Sequence, residues 1–108
     1  MNRMDYIQPD ISGKELRLQF LKSELVFNTT SFILEFIEKM IQSSKAERII
    51  LDLGSVNHID SSAVGMFISL KNEMRKSGRA LIFKGVSESV LRIFHFLDIV
   101  NYLELNAA

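Results

Sequence analysis

Asp60, Ser61 and Ser62 stand together where a polar loop gives way to Ala63-Val64-Gly65, and their types suit them to chemistry. Aspartate and serine favour helix starts, where their oxygens accept bonds from partnerless backbone N–H groups, at ~0.5–2 kcal/mol per cap. A hydroxyl at such a start is also a place for a phosphoryl group, which adds roughly −1.5 to −2 charges that helix-start amides can partly receive. Capping and phosphorylation are compatible, because one exposed helix start serves both.

Other constellations fail on spacing. His58 and His95 are the only histidines, and neither stands four residues from a second metal donor. His58, Asp60 and Ser61 are sequence neighbours, whereas a catalytic triad draws its members from separated segments, and no Gly-x-Ser-x-Gly elbow is present. Gly54-Ser55 lacks the second glycine and the lysine of a phosphate-binding loop. Asp52 and Asp60 invite an acid-pair reading, but the sequence sets no separation between them. Lys71, Arg75, Lys76 and Arg79, with Glu73 among them, read as a solvated helix face.

The elements that must position these residues follow from periodicity. Leu16, Leu18 and Phe20 alternate with polar residues as in a half-buried strand. A turn at Lys22-Ser23 and a strand at Leu25-Val26-Phe27 would complete a hairpin. Asn28, Thr29, Thr30 and Ser31 offer caps to a helix whose stripe is Ile33, Phe36, Ile37, Met40 and Ile41. Ile49 to Leu53 is almost continuously apolar, the pattern of a strand covered on both faces.

A second helix carries Ala63, Phe67, Leu70 and Met74 and stops at Ser77-Gly78. Ala80 to Phe83 is the next strand, so strand, helix and strand form one right-handed parallel crossover. Gly85 breaks that strand. Ser87 or Ser89 can cap a third helix with Val90, Leu91, Phe94 and Leu97 on its apolar face, and Tyr102, Leu103 and Leu105 suggest a last strand or docked tail. Residues 1–13 are the least defined, with Tyr6-Ile7 a strand start and turn signals at Pro9-Asp10 and Ser12-Gly13. The order predicts an α/β fold, a central mixed sheet with packed helices.

At 108 residues the chain is expected to form one domain, residues 1–108. Thirteen basic and thirteen acidic residues cancel, which removes the electrostatic footprint of a dedicated nucleic-acid binder. Without cysteine there is no disulfide, thiolate metal site or cysteine nucleophile. No signal-peptide segment opens the chain and no apolar run approaches the ~18 residues of a membrane span. The expectation is a soluble cytoplasmic protein that contacts no membrane.

Leu51-Asp52-Leu53, then Ile59-Asp60-Ser61-Ser62-Ala63-Val64-Gly65, resembles the signature of the STAS domain. Within that family it is most similar to the bacterial anti-sigma factor antagonists, whose form is strand, short loop and Asp-Ser-Ser-Gly-Leu-Gly at a helix start. Ser23-Glu24-Leu25 takes the place of the family's Gly-Glu-Leu, Thr29 stands where a threonine often follows, and Gly78 precedes the family's next strand. Ser87, Val90, Arg92 and Phe94 are similar to the closing helix. Three positions depart from the pattern: Ala63 and Ser23 replace glycines, and Val26 stands where phosphorylated members often carry aspartate.

The resemblance implies a single STAS domain and a non-enzymatic partner switch with no catalytic residue, cofactor or metal. Its partners would be an anti-sigma factor with serine kinase activity and an opposing phosphatase, with no direct nucleic-acid contact. The carried-over phosphorylation site is Ser61. The implied partner surface comprises Asp60, Ser61, Ser62, Ala63, Val64 and Gly65 with Asn28 and Thr29, on a monomer or weak dimer. Two alternatives stay open: a STAS scaffold without phosphorylation, and a small hydrolase or phosphotransferase using Asp60 and Ser61.

Overall fold

The computed structural model describes residues 2–105. Its elements are β1 (Ile7–Ser12), β2 (Glu15–Phe20), β3 (Glu24–Leu25), α1 (Phe27–Ser43), β4 (Arg48–Asp52), β5 (His58–Ile59), α2 (Ser61–Ser77), β6 (Ala80–Lys84) and α3 (Glu88–Phe96). A short 3₁₀ turn, Arg3–Asp5, precedes them. The main sheet has the order β1-β2-β4-β6, antiparallel between β1 and β2 and parallel elsewhere. The expected mixed sheet and the β4-α2-β6 crossover are therefore present.

Strand alternation gives this sheet one apolar face. Ile7, Leu16, Leu18, Phe20, Ile49, Leu51, Leu81 and Phe83 are buried in one core cluster with the inward stripes of the helices. Ile33, Ile37 and Ile41 come from α1; Ala63, Phe67, Leu70 and Met74 come from α2. Phe67 is the meeting point, edge-on to Phe20, Phe83 and Phe94 at centroid distances of 6.3, 5.4 and 6.1 Å. Edge-to-face packing suits the aromatic quadrupole and locks sheet and helices together.

The other face differs from the sequence expectation. Ile50 is buried but stands apart from the core cluster, and its in-register neighbours are Arg17 and Ile82. That face carries the ion pairs Arg17–Asp52 at 2.5 Å and Arg48–Glu15 at 3.4 Å. The apolar run of β4 thus reflects one helix-covered face and a single isoleucine between long polar side chains on the other.

The N-terminal segment is more regular than its sequence suggests. Pro9-Asp10 lies inside β1 instead of forming a turn, while Gly13, with φ of 59°, makes the actual reversal into β2. Leu21 N–H donates to Tyr6 C=O, so ladder alternation puts Pro9 at a non-hydrogen-bonded position of an edge strand. Its missing N–H is not required there.

The hairpin predicted around Lys22-Ser23 does not form. β3 is only Glu24–Leu25 and pairs in parallel with β5, while Val26 is the cap position of α1 and Phe27 its first residue. Two short parallel strands therefore run directly into α1 and α2 and bring their starts side by side.

At the far end of α2, Gly78 adopts a left-handed φ of 71° and closes the helix, as expected. Ser87 caps α3 through Val90 N–H, but Leu97 is exposed and lies beyond the helix's apolar face. Residues 102–105 form a docked tail. Leu103 is fully buried, Tyr102 O–H bonds Asn72, and Glu104 meets Lys71 at 2.9 Å. Lys71 is thus buried instead of solvated, and Arg79 donates to the Ile41 carbonyl at 2.8 Å.

Candidate functional site

Asp60 is where the two short strands hand over to the two helices. Its N–H donates to Leu25 C=O, the last bond of the β3–β5 pair. Its Oδ1 accepts from Ser62 N–H at 3.0 Å, Ala63 N–H at 3.2 Å and Ser62 Oγ–H at 2.5 Å. Its Oδ2 accepts from Phe27 N–H at 2.9 Å. One carboxylate therefore caps α2, as the sequence predicts, and also α1, which it does not. Val26 has no polar side chain to cap α1, and none of Asn28, Thr29, Thr30 or Ser31 occupies the cap position.

These donors set the electrostatics. The Ser62 hydroxyl has the largest influence on Asp60; with the three N–H groups it outweighs desolvation and holds the carboxyl below its usual range. Asp52, the other candidate acid, belongs to a different cluster. Desolvation raises its pKa, but Gly54 N–H and Arg17 overcome that and lower it. The Cβ that Gly85 lacks would lie 3.0 Å from the Gly54 Cα, so glycine allows these loops to close around Asp52. The two aspartates do not form an acid pair.

The two serines are sharply divided. Ser62 is half-buried, gives its proton to Asp60 and accepts from Thr30 Oγ1 at 2.9 Å, a cross-link between the first turns of α2 and α1. Ser61 is exposed and outside this network. The Ser62 and Ala63 amides of this helix start already donate to Asp60. An added dianion would lie beside a carboxylate, with repulsion in place of capture.

The remaining predicted residues separate by orientation. Ala63 is fully buried and Val64 is 8% exposed, so their side chains face the core and offer a partner little. Ala63 occupies ordinary helical backbone, with its methyl group in the space that a glycine would leave empty. Gly65 and Asn28 are exposed. Thr29 is half-buried, with its hydroxyl on Val26 C=O at 2.9 Å. His58 and His95 are exposed on β5 and α3, apart from Asp60's hydrogen bonds.

Phe27 was missed. Read as a strand residue, it is instead the first residue of α1, 71% exposed and tied by its N–H to Asp60. Its offset from the Ile33-Ile37-Ile41 stripe was the available signal. Thr30, read only as a possible cap, is the buried partner of Ser62.

This geometry has relatives of known structure. The anti-sigma factor antagonist SpoIIAA in its unphosphorylated form matches with a TM-score of 0.76 at 21% identity, over 89% of this chain and 84% of that one. The phosphorylated form of SpoIIAA, a Bacillus cell fate determinant, gives 0.69 at 20% identity, over 89% and 86%. A sulfate transporter family protein from Wolinella succinogenes gives 0.73 at 16% identity, over 87% and 75%. Identities this low establish the shared fold alone. The sequence itself matches the STAS domain family over residues 8–107, nearly its whole length, and the chain belongs to that family.

Proposed function

We propose that this protein is an anti-sigma factor antagonist that switches partners through reversible phosphorylation of Ser61. It acts in the cytoplasm without catalytic residues of its own. It binds an anti-sigma factor that is also a serine kinase, and a phosphatase restores the unmodified state. The observation that carries this reading is the division between the serines: Ser61 is exposed beside a carboxylate whose donors are spent, whereas Ser62 is engaged. A phosphoryl group on Ser61 remains at the surface, next to Asp60, and expels a closely packed partner through desolvation and like-charge repulsion.

Incubation with the kinase partner and ATP tests the reading. A gain of ~80 Da at Ser61, one phosphoryl group, is expected together with loss of the complex. Ser61→Asp should weaken binding at least tenfold more than Ser61→Ala, because only the former adds charge; equal affinities for the two variants count against the electrostatic switch.

A second reading, a STAS scaffold that binds without being modified, draws support from Val26, which supplies no carboxylate at the start of α1. Stable binding with no change in mass would select it.

A further inference from the structure

The two edges of the main sheet are built differently. At β1 the outward edge carries Pro9, which offers no N–H to a further strand, and the charged Asp10 follows it. At β6, Ala80 N–H donates to Glu47 C=O and Lys84 C=O accepts from Leu53 N–H. Main-chain groups alternate along a strand, so Ala80, Ile82 and Lys84 serve β4 while Leu81 and Phe83 turn theirs outward. Those outward groups have no backbone partner among the described residues.

A cavity of about 380 Å³ lies along this edge, between Leu81 and Lys84 of β6 and Lys71 and Arg75 of α2. Leu81 sends its side chain into the core cluster, so what it gives the cavity is main chain. The ionisable lining is four basic residues, Lys71, Arg75, Arg79 and Lys84, against two acidic ones, Glu15 and Glu104, in a chain of zero net charge. Both acids are taken, Glu15 by Arg48 and Glu104 by Lys71, and Arg79 is held on the Ile41 carbonyl. Arg75 and Lys84 are exposed; Arg75 lies over the Tyr102 ring, and neither forms an ion pair among the described residues.

We infer that the β6 edge takes an extended acidic segment of a partner protein, which joins the four-stranded sheet as a further strand. Unpaired main-chain donors and acceptors at alternate residues match the ladder of a strand, and a strand satisfies groups that are costly to leave alone. Arg75 and Lys84 select acidic side chains, one on the helix side of the sheet and the other on its open side. Arg75 swings from Tyr102 onto a carboxylate and so uncovers the edge. A second copy of β6 fits poorly, because antiparallel pairing brings two sets of these cations together. The site works apart from Ser61, since Arg75 lies about 20 Å farther along α2 at ~1.5 Å per residue.

The intact chain is titrated with the blocked peptide Val-Glu-Glu-Val-Glu-Glu, which presents carboxylates on both faces when extended. Saturable NMR shifts are expected at the Leu81 and Phe83 amides. Their hydrogen exchange should slow about tenfold at a peptide concentration near ten times Kd. Lys84→Gln and Arg75→Gln should each weaken binding roughly threefold, as for exposed ion pairs, with Lys84→Gln melting like the parent chain. A glutamine version of the peptide should bind at least tenfold more weakly, and one N-methylated at its two central residues should leave Leu81 unprotected.

Absence of shifts at both amides rejects the site. Equal binding of the glutamate and glutamine peptides removes the acidic occupant, and equal binding of the N-methylated peptide removes strand addition. Protection of Leu81 and Phe83 without peptide, rising with protein concentration alongside a dimer in sedimentation, would make the occupant a second copy of this chain and overturn the assignment.

Discussion

The interface between α1 and α2 holds carboxylates at two places, with opposite effects. At the helix starts, Asp60 accepts from Phe27 N–H of one helix and from Ser62 and Ala63 of the other. Farther along, Glu73 of α2 faces Glu38 of α1. Hydrogen bonding to Glu38 is the largest influence there; with desolvation and the Glu38 charge it pushes Glu73 up to about 7, only partly offset by Lys76. A carboxylate among helix-start donors draws the helices together, whereas two carboxylates must share a proton to remain close. Phosphorylation of Ser61 would turn the first arrangement into the second by placing two anions side by side.

The largest expected effect comes from breaking the shared cap. Asp60→Ala removes acceptors from both helix starts and should cost about 2–3 kcal/mol in urea unfolding, since single caps contribute ~0.5–2 kcal/mol. Asp60→Asn, which keeps one good acceptor, should recover part of this loss. A cost of only a few tenths of a kcal/mol for Asp60→Ala would show that the double cap does not hold the helices.

The acid pair should show itself in pH dependence. Glu73 has a folded-state pKa raised from 4.5 to about 7, so the folded chain holds a proton that the unfolded chain releases. Its contribution is fully present below about pH 4.5 and is lost as pH rises through about 7. Asp60 has the opposite sign: its lowered pKa makes stability that is present above the usual aspartate range and lost on acidification. Glu73→Gln should flatten the slope between about pH 4.5 and 7 while leaving the acid limb intact, as measured by chemical unfolding across that range. Its effect should be smaller than that of Asp60→Ala, because Glu73 is partly exposed and screened. An unchanged slope would remove Glu73 as its source.

The smallest effect sharpens the site end. Thr30→Val deletes the Thr30–Ser62 bond while keeping the shape, and should cost about 0.5–1.5 kcal/mol, the usual contribution of one hydrogen bond. In a double-mutant cycle with Ser62→Ala, a coupling near zero would show that this cross-link adds nothing to the shared cap.

Much of the fold was legible because it rests on local regularity. The stripe of α1, the stop at Gly78, the Ser87 cap and the β4-α2-β6 crossover each lie in a continuous run of residues whose spacing is the structure's own period. Asp60 as the cap of α2 was legible for the same reason, since its partners are two and three residues away. What escaped lacks such a signal. Two-residue strands have no period, so the pairing of Leu25 with Ile59 cannot be read from either segment. Pro9 looks like a turn until the register places it on a strand edge, and Ile50 looks like core until it proves to lie outside the core cluster, beside Arg17.

Asp60-Ser61-Ser62 marks the contrast. The sequence by itself determined that an aspartate and two serines open an amphipathic helix behind a core strand, because capping and periodicity act over a few residues. Only the tertiary structure decided that Asp60 also caps a helix beginning 33 residues earlier, that Ser62 is held by Thr30, and that Ser61 is exposed. Those outcomes depend on β3 and β5 lying side by side, and that pairing is set by the packing of the whole sheet against its helices.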